Sequence, residues 1–150
     1  MSEGPQVKLR AEWLHRFLAG ETVVACESPR EDLGAFARDV LGRAVRRVFC
    51  KGKHIFLEFD GGLYLHNHLL MRGRWRKMKG RLLLLPEGCW LALYVGRHTI
   101  CNLNGQMLRP ETPEQVEAAL STLGPDVMSE PYPAAEVAAG PTPAPRARPP

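Results

Sequence analysis

The feature that most constrains the fold is a succession of short strand-like runs separated by glycine-containing turns, between residues 44 and 103. The turns read KGK, DGG, KG, EG and GR, and the runs between them are rich in apolar residues. Glycine in such short connections supplies the positive φ angles that tight hairpins require. With one earlier run, the pattern predicts about eight short strands, at 22–28, 44–50, 54–59, 63–69, 74–78, 81–86, 89–95 and 98–103. Such a series favours an antiparallel sandwich or a flattened barrel.

Three further segments predict helices. Near the start, apolar residues recur at helical spacing and a glycine follows as a stop signal: Val7, Ala11, Leu14, Leu18 and Gly20. This pattern predicts a helix from about residue 5 to residue 19. A shorter helix is predicted over 32–42, and PEQVEAALSTL predicts another over 113–123.

The bulk composition fits one domain with a core of its own. The chain has 150 residues and is 45% apolar, and no apolar run approaches the ~20 residues of a membrane span. The polar, acidic start does not resemble a signal peptide, so we expect a cytoplasmic location and no membrane partner. From residue 131 to residue 150, thirteen of twenty residues are Pro or Ala. We therefore expect a folded domain over 1–130 and a disordered tail over 131–150.

The four cysteines indicate neither a zinc finger nor a disulfide framework. They are widely spaced and form no C-x-x-C pair: Cys26, Cys50, Cys89 and Cys101. The last three lie in predicted strands, where we expect them to act as small core residues.

Basic residues are concentrated in one short segment. The net charge is +4, and six of the ten residues in RGRWRKMKGR (72–81) are basic. On a strand, residues two apart share a face, so Arg72, Arg74 and Arg76 would form one cationic row. Two interpretations remain open: a solvated edge strand protected by charge, or a stripe that follows the phosphates of a nucleic acid.

The segment His66-Asn67-His68 raises the question of a metal site. Two histidines two apart on a strand point to one side, which suits metal ligation. No third ligand of obvious type lies nearby, and histidines bonded on a strand face are the commoner outcome. We therefore assign no metal, and a metal-dependent nuclease ranks last among the functions considered.

The chain start offers a different chemistry. A free α-amine has a pKa of about 7.7–8.0, against ~10.4 for lysine, so far more of it is unprotonated at neutral pH. Such an amine can attack a carbonyl-like carbon and form a Schiff base. Glu3 lies close enough in sequence to act as an acid beside it. A plain helix entry near the terminus is the alternative.

Three separated segments resemble one known family. MSEGPQV at the start, CKGKHIFLEFDGGLYLHNHLLMRGRW (50–75) and STLGPDVMSEP (121–131) are similar to the bacterial formamidopyrimidine-DNA glycosylase and endonuclease VIII family. The members of this family remove oxidised bases and cut the abasic strand. The resemblance implies the family's N-terminal domain, a two-layer antiparallel β-sandwich with an N-terminal helix. It implies damaged double-stranded DNA as partner, no cofactor, and a nucleoid-associated protein in a bacterial cytoplasm.

The resemblance also implies catalytic residues. The family pattern begins Met-Pro-Glu-Gly-Pro, and after removal of the methionine its proline amine attacks the sugar C1′ atom. This chain has Ser2 at that position and matches the family at Glu3, the acid that helps to open the sugar ring. Lys53 matches the family's turn lysine, which contacts backbone phosphate at the lesion and assists β-elimination.

DNA contacts follow from the same comparison. His68 lies where endonuclease VIII members place a DNA-contacting glutamine, and Met71 matches the apolar wedge that fills the gap left by a flipped base. CNLNGQM (101–107) replaces the glycosylase loop that probes the partner strand. We expect DNA contacts at His68, Met71, Arg72, Arg74, Arg76 and Asn104.

Two departures from the family pattern bear on activity. Ser2 retains a primary amine but lacks the ring of proline. After SEP, the family continues into a helix-two-turn-helix and a zinc finger, whereas this chain gives PYPAAEVAAGPTPAPRARPP. We expect those domains to be absent, DNA binding to be weak and strongly salt-dependent, and catalysis to depend on another chain that supplies the missing grip. The two leading hypotheses are an impaired glycosylase/AP lyase and a non-catalytic DNA-binding module of the same family.

Overall fold

The protein is a two-layer β-sandwich flanked by helices. Its computed structural model describes residues 4–68, 73–105 and 107–123, and these contain eight strands: β1 (Val23–Glu27), β2 (Val45–Lys51), β3 (His54–Phe59), β4 (Leu63–His68), β5 (Arg74–Lys79), β6 (Cys89–Val95), β7 (His98–Leu103) and β8 (Leu108–Glu111). One sheet has the order β1-β6-β7-β5 and the other β2-β3-β4-β8, and neighbouring strands are antiparallel. Apolar residues of both sheets form one buried core. The predicted antiparallel sandwich is confirmed.

Three helices cover the sandwich: α1 (Gly4–Leu18), α2 (Gly34–Asp39) and α3 (Pro113–Leu123). The apolar stripe of α1 is fully buried and joins the core, as its spacing predicts. Helix α3 has the predicted bounds, and its start is capped. Gln115 N–H donates to Thr112 Oγ1 at 3.2 Å, and Thr112 N–H donates to Gln115 Oε1 at 2.8 Å. This reciprocal pair satisfies two backbone donors at the helix start, and Pro113 suits the first helical position.

The predicted second helix is shorter than expected. A 3-10 turn (Glu31–Leu33) leads into α2, which ends at Asp39 rather than at residue 42. Gly42 has φ +80°, and this left-handed conformation belongs to a turn that follows the helix.

One predicted strand is wrong and one strand was missed. RLLLLP (81–86) forms bends and irregular structure, and Leu83 is fully exposed. Its four leucines are apolar but do not alternate, so a strand would have exposed half of them. The missed strand is β8, whose sequence LRPE contains a proline. Pro110 is tolerated there because β8 lies at the edge of its sheet.

The outer face of the β2-β3-β4-β8 sheet positions the candidate site. Along β3, Ile55 and Leu57 point into the core, whereas Phe56 points outward and packs against α3 through Val116. His66 on β4 is the register partner of Phe56. Side chains that point to the same face of the sheet as Phe56 and His66 therefore lie between the sheet and α3.

Two other predictions concern the cysteines and the membrane. Cys50, Cys89 and Cys101 are buried free thiols, which confirms their assignment as core residues. No helix within the described ranges combines the length and the apolar character needed to cross a membrane. The domain boundary at 130 and the predicted tail over 131–150 lie outside the described residues.

Candidate nucleic-acid interface

Lys53 lies in the tight turn between β2 and β3. Lys51 and His54 are the last register partners of this hairpin, so only Gly52 and Lys53 connect them. Gly52 has φ +60°, the left-handed value that a two-residue hairpin of this kind needs at its first position. Lys51 is engaged elsewhere, because its Nζ donates to the Leu120 carbonyl at 2.9 Å. Among the described residues, none accepts a hydrogen bond from the Lys53 ammonium or forms an ion pair with it.

The turn places Lys53 next to His54, which is the register partner of His68 on β4. Burial lowers the pKa of His68, and the charges of His66 and Lys53 lower it further. The ring of His68 stacks on that of His54, with centroids 4.1 Å apart and planes 16° from parallel.

Behind these residues lies a chain of hydrogen bonds that the sequence did not reveal. His54 Nδ1 lies 2.7 Å from His66 Nε2, and His66 Nδ1 lies 2.9 Å from Glu111 Oε2. The same carboxylate oxygen accepts a hydrogen bond from Arg109 Nε at 2.7 Å. We call His54, His66, Glu111 and Arg109 the histidine relay.

Burial keeps the imidazoles of this region neutral. The side chains of His66 and Glu111 are only 3% exposed. Burial lowers the pKa of His66, and the bond to Glu111 only partly opposes this effect. The pKa of His54 falls to about 4, first because of burial and then because of the charges of His68 and His66. All three histidines of the region are therefore uncharged at neutral pH.

The relay also bears on the metal hypothesis. Both ring nitrogens of His66 are engaged, one with His54 and one with Glu111. Metal ligation by His66 would require one of these bonds to break. Across the described part of the chain, no group of three or more His, Cys, Asp or Glu side chains is arranged to hold a metal ion.

An open cleft of about 590 Å³ separates the relay from α3. Its strand side is formed by His54, His66 and Arg109, and its helix side by Gln115, Ala118 and Thr122. The relay is thus buried at Glu111 and reaches open space at His54.

Two residues of the cationic row, Arg74 and Arg76, lie on an edge strand. Arg74 and Arg76 are exposed and flank Trp75, which is 2% exposed. Strand β5 is the outermost strand of its sheet. Lys77 points to the face of β5 opposite Arg74 and Arg76. It lies over the ring of Phe17, with its Nζ 3.8 Å from the ring centroid. It therefore does not belong to the row.

Asn67 connects three segments of the fold and was missed by the sequence analysis. Its side chain is fully buried. Its Oδ1 accepts a hydrogen bond from Trp75 Nε1 at 2.9 Å, and its Nδ2 donates to the carbonyls of Met107 at 2.8 Å and Gly105 at 3.2 Å. The amide thus ties β4 to β5 and to the β7–β8 loop. The signal that could have indicated this role was a lone Asn at an inward-facing position of an apolar strand.

The hydrogen bonds of Asn67 reach the chain neighbours of predicted site residues. Asn67 precedes His68, its buried partner Trp75 lies between the exposed Arg74 and Arg76 in sequence, and its partner Gly105 follows Asn104. Asn104 is exposed and has φ +51°, a left-handed conformation that Asn tolerates better than most residues. Four further predicted residues lie outside the described residues: Ser2, Glu3, Met71 and Arg72.

The sequence matches a known family over most of its described length. A family model described as the formamidopyrimidine-DNA glycosylase N-terminal domain matches residues 1–106. The chain is 38% identical over 76 residues to a Mycobacterium bovis protein named endonuclease 8 2, covering 51% of this chain and 29% of that protein. It is 27% identical over 131 residues to endonuclease 8 of Klebsiella pneumoniae, covering 85% of this chain and 50% of that protein.

Solved structures share the fold. The Fpg protein of Lactococcus lactis in a complex with DNA containing an abasic site superposes with a TM-score of 0.72 at 15% identity. The superposition covers 81% of this chain and 48% of that one. A complex of the same bacterium's Fpg with DNA containing FAPY-dG gives a TM-score of 0.70. The chain therefore spans about half the length, or less, of the relatives that it matches.

Proposed function

Because this chain belongs to the formamidopyrimidine-DNA glycosylase N-terminal domain family, we propose that it acts on damaged double-stranded DNA in base-excision repair. The proposed activity is that of a bifunctional DNA glycosylase and AP lyase for oxidised bases. The observation that carries the proposal is the position of Lys53 in a tight turn beside His68, with no protein partner for its ammonium among the described residues. A cation held this way is available to a phosphate of bound DNA.

The proposed chemistry uses the chain's own amine. After removal of Met1, the Ser2 nitrogen attacks C1′ of the damaged nucleotide, the bond from C1′ to the base breaks, and Glu3 protonates the ring oxygen as the sugar opens. The resulting Schiff base acidifies the C2′ proton, whose loss expels the 3′ phosphate by β-elimination. Lys53 holds the backbone phosphate during these steps. An amine nucleophile and a neighbouring acid are the two groups that this sequence of steps requires.

The proposed DNA-binding surface combines the remaining predicted residues. Arg74 and Arg76 face solvent from an edge strand, where they can follow successive phosphates. His68 and Asn104 lie at the strand end and the loop that Asn67 ties together. Met71 and Arg72, in the connection between β4 and β5, complete the proposed surface, with Met71 as the wedge that replaces the flipped base.

A DNA partner suggests where the protein works and what assists it. The similar proteins named above come from bacteria, and we propose that this chain acts at the bacterial nucleoid. We also propose that a second chain extends its contacts to DNA, because few phosphate contacts give an affinity that falls quickly with salt.

Borohydride trapping tests the proposal. The purified chain is incubated at low salt with a duplex that contains one abasic site, the Schiff base is reduced, and the adduct is located by peptide mapping. We expect a covalent adduct on Ser2, and none when intact mass shows that Met1 is retained. An adduct on a lysine, or no adduct from a chain that binds the duplex, would overturn the proposed chemistry.

The second candidate function is a DNA-binding module without catalysis. The observation that favours it is Ser2 at the position where the family pattern has proline, because the rigid secondary amine is lost. This alternative predicts salt-dependent binding to the same duplex without an adduct.

A further inference from the structure

The hydrogen bonds of the histidine relay determine where its protons lie, and their link to DNA rests on the proposed function, DNA binding beside Lys53. The carboxylate of Glu111 can only accept hydrogen bonds, so the nitrogen facing it, His66 Nδ1, carries a proton. In a neutral His66 the other nitrogen, Nε2, is then an acceptor, and the 2.7 Å contact requires His54 Nδ1 to donate to it. His54 Nε2 is left with a free lone pair.

This arrangement provides a route for one added proton. If a proton binds to His54 Nε2, the proton on His54 Nδ1 can pass to His66 Nε2 across the 2.7 Å contact. His54 is then neutral again, with an N–H at Nε2, and the positive charge resides on His66 beside the carboxylate of Glu111. One proton has entered from solvent, and no other bond has changed.

Local charge decides whether this proton stays. Arg109 already neutralises Glu111 through its 2.7 Å bond, so a second positive charge in the relay has no counter-charge of its own. The other charged or titratable groups that act on His54 are His66 and His68 on β4, and Lys53 in the turn acts on His68. On the α3 side, the cleft is lined by the uncharged side chains of Gln115 and Thr122. Each titratable or cationic neighbour other than Glu111 therefore opposes the uptake of a proton.

A bound phosphodiester supplies the missing negative charge. Its binding beside Lys53 and His68 would place an anion next to the stacked ring of His54, which also lines the open cleft. We propose that DNA binding at this site is coupled to the uptake of one proton by the relay, received at His54 Nε2 and stabilised on the buried His66–Glu111 pair.

The coupling between DNA binding and proton uptake predicts the direction in which the affinity changes with pH. The pKa of His54 is about 4 in the free protein, and an anion raises it toward the ordinary histidine value of about 6.5. Between those two pH values the complex holds more protons than the free protein, so DNA binding weakens as pH rises. If the anion restores the ordinary value, linkage predicts roughly a tenfold loss of affinity between about pH 5.5 and pH 7.5.

The test is calorimetric titration of the full chain with a duplex that carries a non-cleavable abasic-site analogue, at about pH 6 in two buffers of different ionisation enthalpy. The difference between the observed enthalpies gives the number of protons taken up. We expect uptake of more than half a proton by the unaltered chain and a clear loss of uptake in His54→Asn, which keeps a donor toward His66 but does not titrate. Glu111→Gln provides a second variant, because it removes the carboxylate beside His66 and leaves the charge of Arg109 unbalanced, so it should also reduce the uptake.

His98→Asn is the matched control, since His98 lies on β7 at the end opposite the Asn104 loop, and it should retain the full uptake. Binding with no proton uptake, or with equal uptake in the unaltered chain and in both relay variants, would overturn this inference and leave the proposed function intact. The absence of any binding to the duplex would overturn both.

Discussion

At the scale of single residues, replacing Lys53 tests whether the turn between β2 and β3 contacts phosphate. We predict that Lys53→Gln lowers the affinity for an abasic-site duplex and reduces the slope of log affinity against log salt by about 0.9, the value for one phosphate contact. Fluorescence anisotropy over a series of salt concentrations measures both quantities. Arg38→Gln, which removes one exposed charge from α2, is the control and should leave the slope as it is. Equal slopes for the unaltered chain and Lys53→Gln would show that the turn does not touch DNA.

The buried histidines predict how stability depends on pH. Unfolded histidine titrates near a pKa of about 6.5, whereas burial lowers the folded pKa of His66 and lowers that of His54 to about 4. Protonation therefore favours the unfolded chain, and the contribution is complete above about pH 6.5 and is lost as pH falls toward the folded value. We predict a lower Tm at about pH 5 than at about pH 7.5, and a smaller difference in His54→Asn.

Thermal unfolding followed by circular dichroism at the two pH values measures this effect. His98→Asn should show the same pH-dependent difference as the unaltered chain. An undiminished difference in His54→Asn would mean that the pH dependence originates elsewhere.

At the scale of elements, Asn67 and Trp75 hold strands of the two sheets together. Trp75→Phe keeps an aromatic ring but removes the indole N–H, which leaves the Asn67 Oδ1 atom buried without this partner. We predict a loss of about 1–3 kcal/mol in the free energy of unfolding, measured by urea denaturation. Trp90→Phe, at a tryptophan whose ring instead lies against Arg30, is the control.

A double variant separates the hydrogen bond from general packing. Combining Trp75→Phe with Asn67→Leu should cost less than the sum of the two single changes, because the shared bond can be lost only once. Strict additivity would contradict the assignment of this pair as a coupled connection.

Replacing two arginines on the edge strand β5 distinguishes the two interpretations of the cationic row, phosphate contact and protection of a sheet edge. If Arg74 and Arg76 follow phosphates, replacing both by Gln reduces the salt slope by about 1.8, two contacts at about 0.9 each. If they only protect a sheet edge, the slope stays the same and the variant aggregates more readily. Anisotropy and light scattering on the same samples measure the two outcomes.

The sequence predicted those elements whose signals are local. The start of α3 follows from Thr112, Pro113 and Gln115, which lie close together in sequence, and the turn at Gly52 follows from one short tripeptide. Strand β8 could not be predicted in this way, because its edge position makes Pro110 acceptable and that position is a property of the sheet. The strand predicted at 81–86 is wrong because its leucines indicate a strand, whereas no strand in the described part of the chain pairs with this segment.

At the scale of the whole molecule, the candidate site is built from contacts between residues far apart in the chain. His66 and Glu111 are 45 positions apart, and Asn67 reaches Gly105 across 38. No periodicity in the sequence connects such pairs. The histidine relay and the hydrogen bonds of Asn67 can therefore be found only from the folded structure. The resemblance to the glycosylase family, by contrast, depends on short ordered motifs, and these motifs alone predict Lys53 and His68 as DNA contacts.

We propose that this chain cuts damaged DNA through its own terminal amine. The most direct measurement is strand scission of an end-labelled duplex with one abasic site by the purified chain at low salt, resolved on a denaturing gel. We expect a β-elimination product that disappears when the Ser2 amine is blocked by a retained Met1. A chain that binds the duplex and leaves the strand intact, or one that cleaves equally well with its amine blocked, would contradict the claim.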